Sequence, residues 1–342
     1  MTNDALTPLT AAGLLVTDWC PARCRHCYVC SGPDRSAWMA AEEAAAHLAA
    51  LARLGVPAEG IHIGGGEPFG DFDRLLAIVR SAAGAGLDGI GYVETSGFWA
   101  TSDAIVRGRL GALAEAGMRQ VSISADPYHQ EFVPPDRVGR LQEVARAVLG
   151  PGGVRARRWK WLRTPRDTST LCHDERRRVF ADFLGRYPER MTGRAAIHLA
   201  PLRDRVPAGN LPEKTCRVPL LESRHVHVLP GGEVYPGTCA GLVLGRAGPG
   251  SPLDDLVRSW RPGDSPRVAR LVSGGPRALL TEARRHGFSP DPAGYADPCH
   301  LCWTVRTSLV HAGAAGRDLG PAGMYEEPDR VGLSEGQPRG GR

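Results

Sequence analysis

The chain has 342 residues, 42% of them hydrophobic, with 43 Gly, 28 Pro and a formal net charge of +5. Gly and Pro together stay below the roughly 25–30% of a low-complexity chain, and no apolar run reaches the ~18 residues of a membrane span. Disordered, collagenous and membrane-spanning classes are excluded, and with no basic-then-apolar leader a cytoplasmic protein is expected.

The positive charge does not by itself point to nucleic acid. Of the 42 cations only Lys160 and Lys214 are lysine, in a chain rich in Ala, Gly and Pro. The excess reads as compositional bias, and neither a nucleic-acid nor a membrane partner is expected.

In chain order, Leu14–Val16 reads as a first strand. Ala44, Ala45, Leu48 and Leu51 mark one face of a helix that Gly55 ends. Ile61–Ile63 is a second strand, and Asp71 caps a helix carrying Leu75, Leu76 and Val79. Ile90–Val93 is a third strand, with a helix near 102–116. Val121–Ser124 is a fourth, followed by a helix through Val138, Leu141, Val144 and Val148. Strands near 154–162 and 195–199 flank a helix near 171–186.

Six strand-then-helix units imply parallel strands with right-handed crossovers. The expected fold is α/β, a partial (β/α)6 barrel with its chemistry at the carboxyl ends of the strands. From Pro207 the pattern changes. His225–Leu229, Pro230-Gly231-Gly232 and Glu233–Tyr235 read as a β-hairpin, and a helix near 299–311 follows. The expected division is a core over 13–206, a hairpin-and-helix extension over 207–315 and a disordered Gly/Pro-rich tail over 316–342.

The chain has nine cysteines. In a reducing compartment clustered thiols point to metal or redox chemistry. Cys20, Cys24 and Cys27 follow the first strand, with three and then two residues between them. Three thiolates on one loop can hold three irons of a 4Fe–4S cluster and leave the fourth iron open. A structural zinc with a distant fourth ligand is the other reading.

This spacing, with an aromatic residue just before the third cysteine, resembles the radical S-adenosylmethionine (radical SAM) superfamily. Gly64-Gly65-Gly66-Glu67-Pro68 ends the second strand and looks like that family's Gly-Gly-Glu-Pro motif. The resemblance implies that Gly65, Gly66 and Glu67 bind the methionine amino group of S-adenosylmethionine. Glycines permit close backbone approach, and a carboxylate suits an ammonium partner. Thr95-Ser96-Gly97 and Ser122–Asp126 resemble polar strand ends that the family sets beside the cofactor. Ser124 is the expected ribose contact, with Thr95 and Ser96 behind it. His26 and Tyr28 are expected at the adenine, and His129 is a candidate to face the cavity. The implied chemistry is reductive cleavage of S-adenosylmethionine to a 5′-deoxyadenosyl radical, which takes a hydrogen atom from the substrate.

Cys216, Cys239, Cys299 and Cys302 number four, the count for a second cluster. Cys216, Gly231-Gly-Glu-Val-Tyr-Pro and Cys239 resemble the SPASM/twitch extension of radical SAM enzymes. Gly237 and Thr238 stand where that family usually has cysteine, and no cysteine follows Cys302, so one auxiliary cluster is expected, with structural zinc as the alternative. Cys172, or Cys239 if it is not a ligand, is a candidate hydrogen-atom donor.

Relatives with this organisation modify ribosomally made peptides by epimerisation or cross-linking. Others act on small molecules, including sugar-derived intermediates, or on sulfatases. Peptide modification is the first expectation, a small molecule the second, and a non-enzymatic iron–sulfur or zinc redox module the remaining one. An electron donor such as flavodoxin or ferredoxin is the implied partner.

Overall fold

The computed structural model describes residues 5–326. Five strands alternate with helices through the first half: β1 (Ala11–Leu15), α1 (Ala41–Arg53), β2 (Ile61–Gly64), α2 (Phe72–Gly84), β3 (Ile90–Thr95), α3 (Asp103–Glu115), β4 (Met118–Ile123), α4 (Pro135–Leu149) and β5 (Val154–Ala156). Next come α5 (Trp159–Leu162), α6 (His173–Arg186) and α7 (Arg194–His198). The second half supplies β6 (His225–Val228), β7 (Glu233–Pro236), β8 (Gly245–Arg246), α8 (Leu253–Ser259), α9 (Pro266–Gly274), α10 (Leu280–Arg285) and α11 (Pro298–His311).

Local sequence explains the helix ends. The Asp71 carboxylate accepts from Arg74 N at 3.1 Å, and the Ser102 hydroxyl from Ile105 N at 3.3 Å, each satisfying an N–H that has no partner within its helix. Leu14, Ile61, Ile63, Val93, Val121 and Ile123 are fully buried. Their removal from water supplies most of the drive for the sheet to form. β1, β2, β6 and β7 are buried almost throughout, as in parallel α/β sheets, whereas β4 and β5 keep exposed and half-buried positions.

One eight-stranded sheet runs in the order β5-β4-β3-β2-β1-β6-β7-β8. β1 to β6 pair in parallel, and β7 and β8 are antiparallel. The fold is therefore α/β with a mainly parallel sheet, but its sixth parallel strand is not the expected one. Residues 195–199 lie in and beside α7. The run Ala-Ala-Ile-His-Leu suits a buried helix as well as a strand, and Arg194 is drawn into hydrogen bonds that start a helix. The place beside β1 is taken by β6, so the sheet continues across the boundary expected at 206/207.

The expected strand over 154–162 is also shorter, stopping at Ala156 before α5. Residues 316–326, assigned to the tail by composition, are packed. Asp318 pairs with Arg267 at 2.5 Å, Leu319 bridges Leu242, and the Tyr325 ring stacks on Trp303 at 4.8 Å. The rest of the expected tail, 327–342, lies outside the described residues. Among them no helix is long and apolar enough to cross a membrane.

Candidate active site

A cavity of about 630 Å³ opens at the carboxyl ends of the parallel strands. Cys20, Cys24 and Cys27 line it, carried by the loop that follows β1. So do His26, Tyr28, Gly65, Gly66, Thr95, Ser96, Ser124 and His129. Residues spread over more than a hundred positions thus meet around one space.

The cysteine loop is held from two sides. Cys20 N donates to Gly32 O at 3.1 Å, and Cys27 N to Cys24 O at 3.0 Å. From α7, Arg194 N donates to Cys27 O at 3.1 Å, while the buried guanidinium donates to Ser31 O at 2.6 Å and Cys30 O at 3.1 Å. Burial pushes the Cys20 and Cys24 thiols well above their ordinary value, helped by the Glu67 charge at Cys20 and by Cys20 itself at Cys24. A bound cationic centre would reverse that logic and hold them as thiolates.

Gly65 and Gly66 serve this loop directly. A Cβ on Gly66 would lie 2.0 Å from Trp19 O, and one on Gly65, whose φ is +128°, 2.4 Å from Thr17 O. Gly66 N donates to Thr17 O at 2.7 Å and Glu67 N to Trp19 O at 2.8 Å. The glycine run is therefore the seat of the loop as well as a wall of the cavity.

Glu67 was expected to face an ammonium group. It is fully buried beneath the strand ends. Its carboxylate accepts from Thr95 Oγ1 at 2.9 Å, Ser96 N at 2.8 Å, Ser96 Oγ at 2.5 Å and Phe69 N at 3.3 Å. Thr95 Oγ1 also accepts from Gly97 N and Trp99 Nε1. Glu67, Thr95 and Ser96 thus fix one another, and Ser124 is the hydroxyl that stays available to a ligand. Its backbone N is held by Thr95 O at 2.8 Å.

His129 Nδ1 lies 2.8 Å from Asp126 Oδ2, and His26 Nε2 lies 3.7 Å from the same atom. Burial works against the Asp126 charge, but the two imidazoles more than offset it and hold the carboxyl below the ordinary range. Burial drives His26 down to about 3. Its Nδ1 is buried with no hydrogen-bond partner, an open polar contact at the place expected for the adenine.

Cys216, Cys239, Cys299 and Cys302 come within electrostatic reach of one another. Burial pushes Cys216 and Cys299 up to about 12, with Cys302 and Asp297 respectively adding to it. Arg190 Nη1 donates to Cys239 Sγ at 3.7 Å and Arg190 Nη2 to Thr238 O at 2.5 Å. Arg190 and Thr238 also line the main cavity, so the second thiol set stands one residue from it. Cys172 does not join either group: it is exposed at the start of α6, outside the cavity lining.

Other lining residues were not singled out from the sequence. Arg155, Arg157 and Arg158 enter from the end of β5, and Glu189 pairs with Arg158 at 2.7 Å. Glu94 lines the cavity from β3, its carboxyl raised by burial. His62, His225 and His227 also face in. Period-2 alternation is the signal that could have found them, since His225-Val226-His227 on a strand puts both imidazoles on one face.

Among the described residues, two groups bring three ligand atoms within 4.8 Å of one another: His62–His225–His227 and His26–Asp126–His129. Neither thiol set is drawn that tightly. Tetrahedral zinc with bonds of ~2.3 Å would hold its sulfurs about 3.8 Å apart.

Three thiols on one loop, seated on a glycine-rich strand end, stand beside a deep polar cavity, an arrangement able to hold a metal cluster. Residues 14–149 match the family model described as the Radical SAM superfamily, so this stretch of the chain carries a radical SAM domain. That family uses a 4Fe–4S cluster and S-adenosylmethionine. Among solved structures, the chain is similar to BtrN in complex with AdoMet and 2-DOIA, at 16% identity over 79% of this chain and 90% of that one, with a TM-score of 0.45. It is also similar to Streptococcus suis SuiB bound to S-adenosylmethionine, at 10% identity over 86% and 78%, with a TM-score of 0.40. A search of curated proteins finds no significant match.

Proposed function

We propose that the enzyme oxidises a small polar substrate held beneath the cysteine loop. Cys20, Cys24 and Cys27 would hold the catalytic 4Fe–4S cluster. The Gly65–Gly66 backbone, Ser124, His26 and Tyr28 would seat S-adenosylmethionine. Bound there, the cluster and S-adenosylmethionine would supply the radical chemistry that removes one hydrogen atom from the substrate. The protein's part is to place one substrate bond and to exclude other donors from the cavity.

The observation that carries the oxidative reading is the position of Thr238 and Cys239. Cys216, Cys239, Cys299 and Cys302 would hold an auxiliary 4Fe–4S cluster of twitch type. With Thr238 in the cavity wall and Cys239 its neighbour, that cluster would stand beside the substrate, placed to accept the second electron. The substrate would lose a hydrogen atom, then an electron and a proton. Flavodoxin or ferredoxin would reduce the catalytic cluster, in the cytoplasm.

A small substrate is favoured over a peptide by the lining. Arg155, Arg157 and Arg158 face the cavity with Glu94 and Glu189, a set suited to a charged or polyhydroxyl molecule. The segment from Ser124 to Phe132 is largely interior and offers no docking strip for a peptide: Tyr128 is fully buried and Gln130 accepts from Trp161 Nε1 at 2.7 Å.

The test uses anaerobically reconstituted enzyme with a chemical reductant and S-adenosylmethionine. Wild type should form 5′-deoxyadenosine, and the Cys20/Cys24/Cys27→Ala variant should form none. The Cys239→Ala/Cys302→Ala variant should still form it while losing about half the iron expected of two four-iron clusters. Full iron retention in that second variant would remove the auxiliary cluster and with it the oxidative reading.

A further inference from the structure

We infer that His62, His225 and His227 form a binding site for a divalent transition-metal ion in the cavity wall, separate from both thiol sets. The three imidazoles each offer a ring nitrogen, and these atoms lie within 4.8 Å of one another. Ring centroids are 4.4 Å apart for His225 and His227, 5.3 Å for His62 and His227, and 5.4 Å for His62 and His225.

The backbone makes room for this group. Gly13 on β1 stands level with His62 on β2 and with His227 on β6. A Cβ there would lie 2.4 Å from His62 Nε2 and 2.4 Å from His227 Cδ2. Only a residue without a side chain lets two imidazoles from flanking strands meet across β1. Three aligned strands therefore converge on one small volume, whereas a chance surface cluster would need no such clearance.

The nitrogens are also prepared. His227 Nδ1 lies 2.6 Å from Gly237 O, so it carries the proton and leaves Nε2 as the acceptor nitrogen. A backbone carbonyl that fixes the tautomer in this way is the usual outer partner of a metal-ligating histidine. His225 Nε2 is buried with no hydrogen-bond partner, a cost that a bound ion would remove. Tyr92 stacks on His62 at 4.9 Å with only 4° between the planes, fixing the ring. The Arg155 guanidinium, 4.1 Å over the Tyr92 ring, opposes a cation here, and Glu94, two residues along β3, supplies a carboxylate in the same cavity.

Three imidazoles leave a tetrahedral ion with one open position. All three histidines line the cavity, so that position would face it and would take an oxygen or nitrogen donor of the substrate. Tyr28, adjacent to Cys27, places its ring 6.3 Å from His227. A substrate anchored on the ion would therefore lie close beside the cysteine loop. Nitrogen-only ligation favours zinc or another borderline ion over the thiophilic metals of the cysteine sets.

The experiment titrates Zn²⁺ into enzyme already loaded with iron and sulfide, so that the thiols are occupied. Calorimetry reads the stoichiometry, and zinc-edge X-ray absorption reads the ligands. One added zinc per chain is expected, with nitrogen or oxygen neighbours at about 2.0–2.1 Å, imidazole scattering beyond them and no sulfur at ~2.3 Å. His225 is the least buried of the three, and His225→Ala should weaken zinc binding at least about tenfold with iron content unchanged. No zinc uptake, sulfur in the zinc shell, a shell without imidazole, or unchanged affinity in His225→Ala would each overturn the site. The absorption measurement on wild type needs no variant, so a misfolded variant leaves the question decidable. The radical SAM reading is tested separately by 5′-deoxyadenosine formation, so either can fail alone.

Discussion

Arg194 N donates to the carbonyl of Cys27 at 3.1 Å, and the same residue's guanidinium holds the carbonyls of Ser31 and Cys30. One fully buried arginine at the start of α7 thus clamps the far end of the cysteine loop. Gly193, with φ of +58°, brings the chain there, since a Cβ at this position would lie 2.5 Å from Cys27 O. Arg194→Ala would leave two buried carbonyls without their charged donor, a loss of about 2–3 kcal/mol. The expected outcome is a lower melting temperature and faster loss of the cluster chromophore on dilution. Arg194→Lys, which can reach only part of the fork, should fall between the two. Equal cluster retention in wild type and Arg194→Ala would show that α7 is not a clamp.

A second relationship alters what a glycine substitution should do. From sequence, a side chain at Gly66 would obstruct only the cofactor. In the fold it would strike Trp19 O, the residue before Cys20. Gly66→Val should therefore lose iron as well as S-adenosylmethionine affinity. Iron analysis beside calorimetry separates the outcomes, and a variant with full iron and weak cofactor binding would contradict the seating role.

How far the sequence was legible depends on where each interaction is encoded. The strand–helix alternation through residue 156 could be read, because apolar runs and caps such as Asp71 are local signals. The pairing of β6 with β1 could not, because a parallel partner two hundred residues away leaves no local trace. Residues 195–199 misled because an Ala-Ala-Ile run fits either period, and the deciding contacts of Arg194 are long-range. The loop cysteines and glycines were legible as a motif. Glu67 was found but turned inward, since a motif letter does not say which of its atoms face the ligand. His62 and His227 were passed over because their meeting depends on Gly13 from a third strand.

Glu94 gives a pH prediction with a definite sign. Burial raises its carboxyl above the ordinary 4.5. The folded state therefore holds the proton more firmly than the unfolded chain, so the group's contribution is present below pH 4.5 and is lost as pH rises through the raised value. Above that point the buried charge opposes folding. Glu94→Gln removes the titration. Its melting temperature should match wild type at low pH and exceed it at neutral pH and above, with the gap opening upward from about 4.5. A gap that is constant with pH, or that closes as pH rises, would show that Glu94 is not carrying a buried charge.

The last prediction concerns the second thiol set. Burial pushes Cys216 and Cys299 up to about 12, and each lies within reach of the other three cysteines. Four such thiols packed together would be a poor core if left alone, because ionising any one of them places a charge among its neighbours without compensation. A bound metal centre changes that balance and contributes folding free energy outright. The surroundings match: Arg190 Nη1 donates to Cys239 Sγ at 3.7 Å, and the Arg306 guanidinium favours the charged form of Cys302. Iron and sulfide analysis of reconstituted enzyme should then give about eight irons per chain, and the Cys20/Cys24/Cys27→Ala variant about four. Chelation of that variant should lower its melting temperature, because the hairpin of β6 and β7 and helix α11 lose their common anchor. If the variant instead carries one zinc and no iron, the extension is a zinc-stabilised cap. It would then have no electron to accept from a substrate, and the reaction would be redox-neutral, with a hydrogen atom returned to the product.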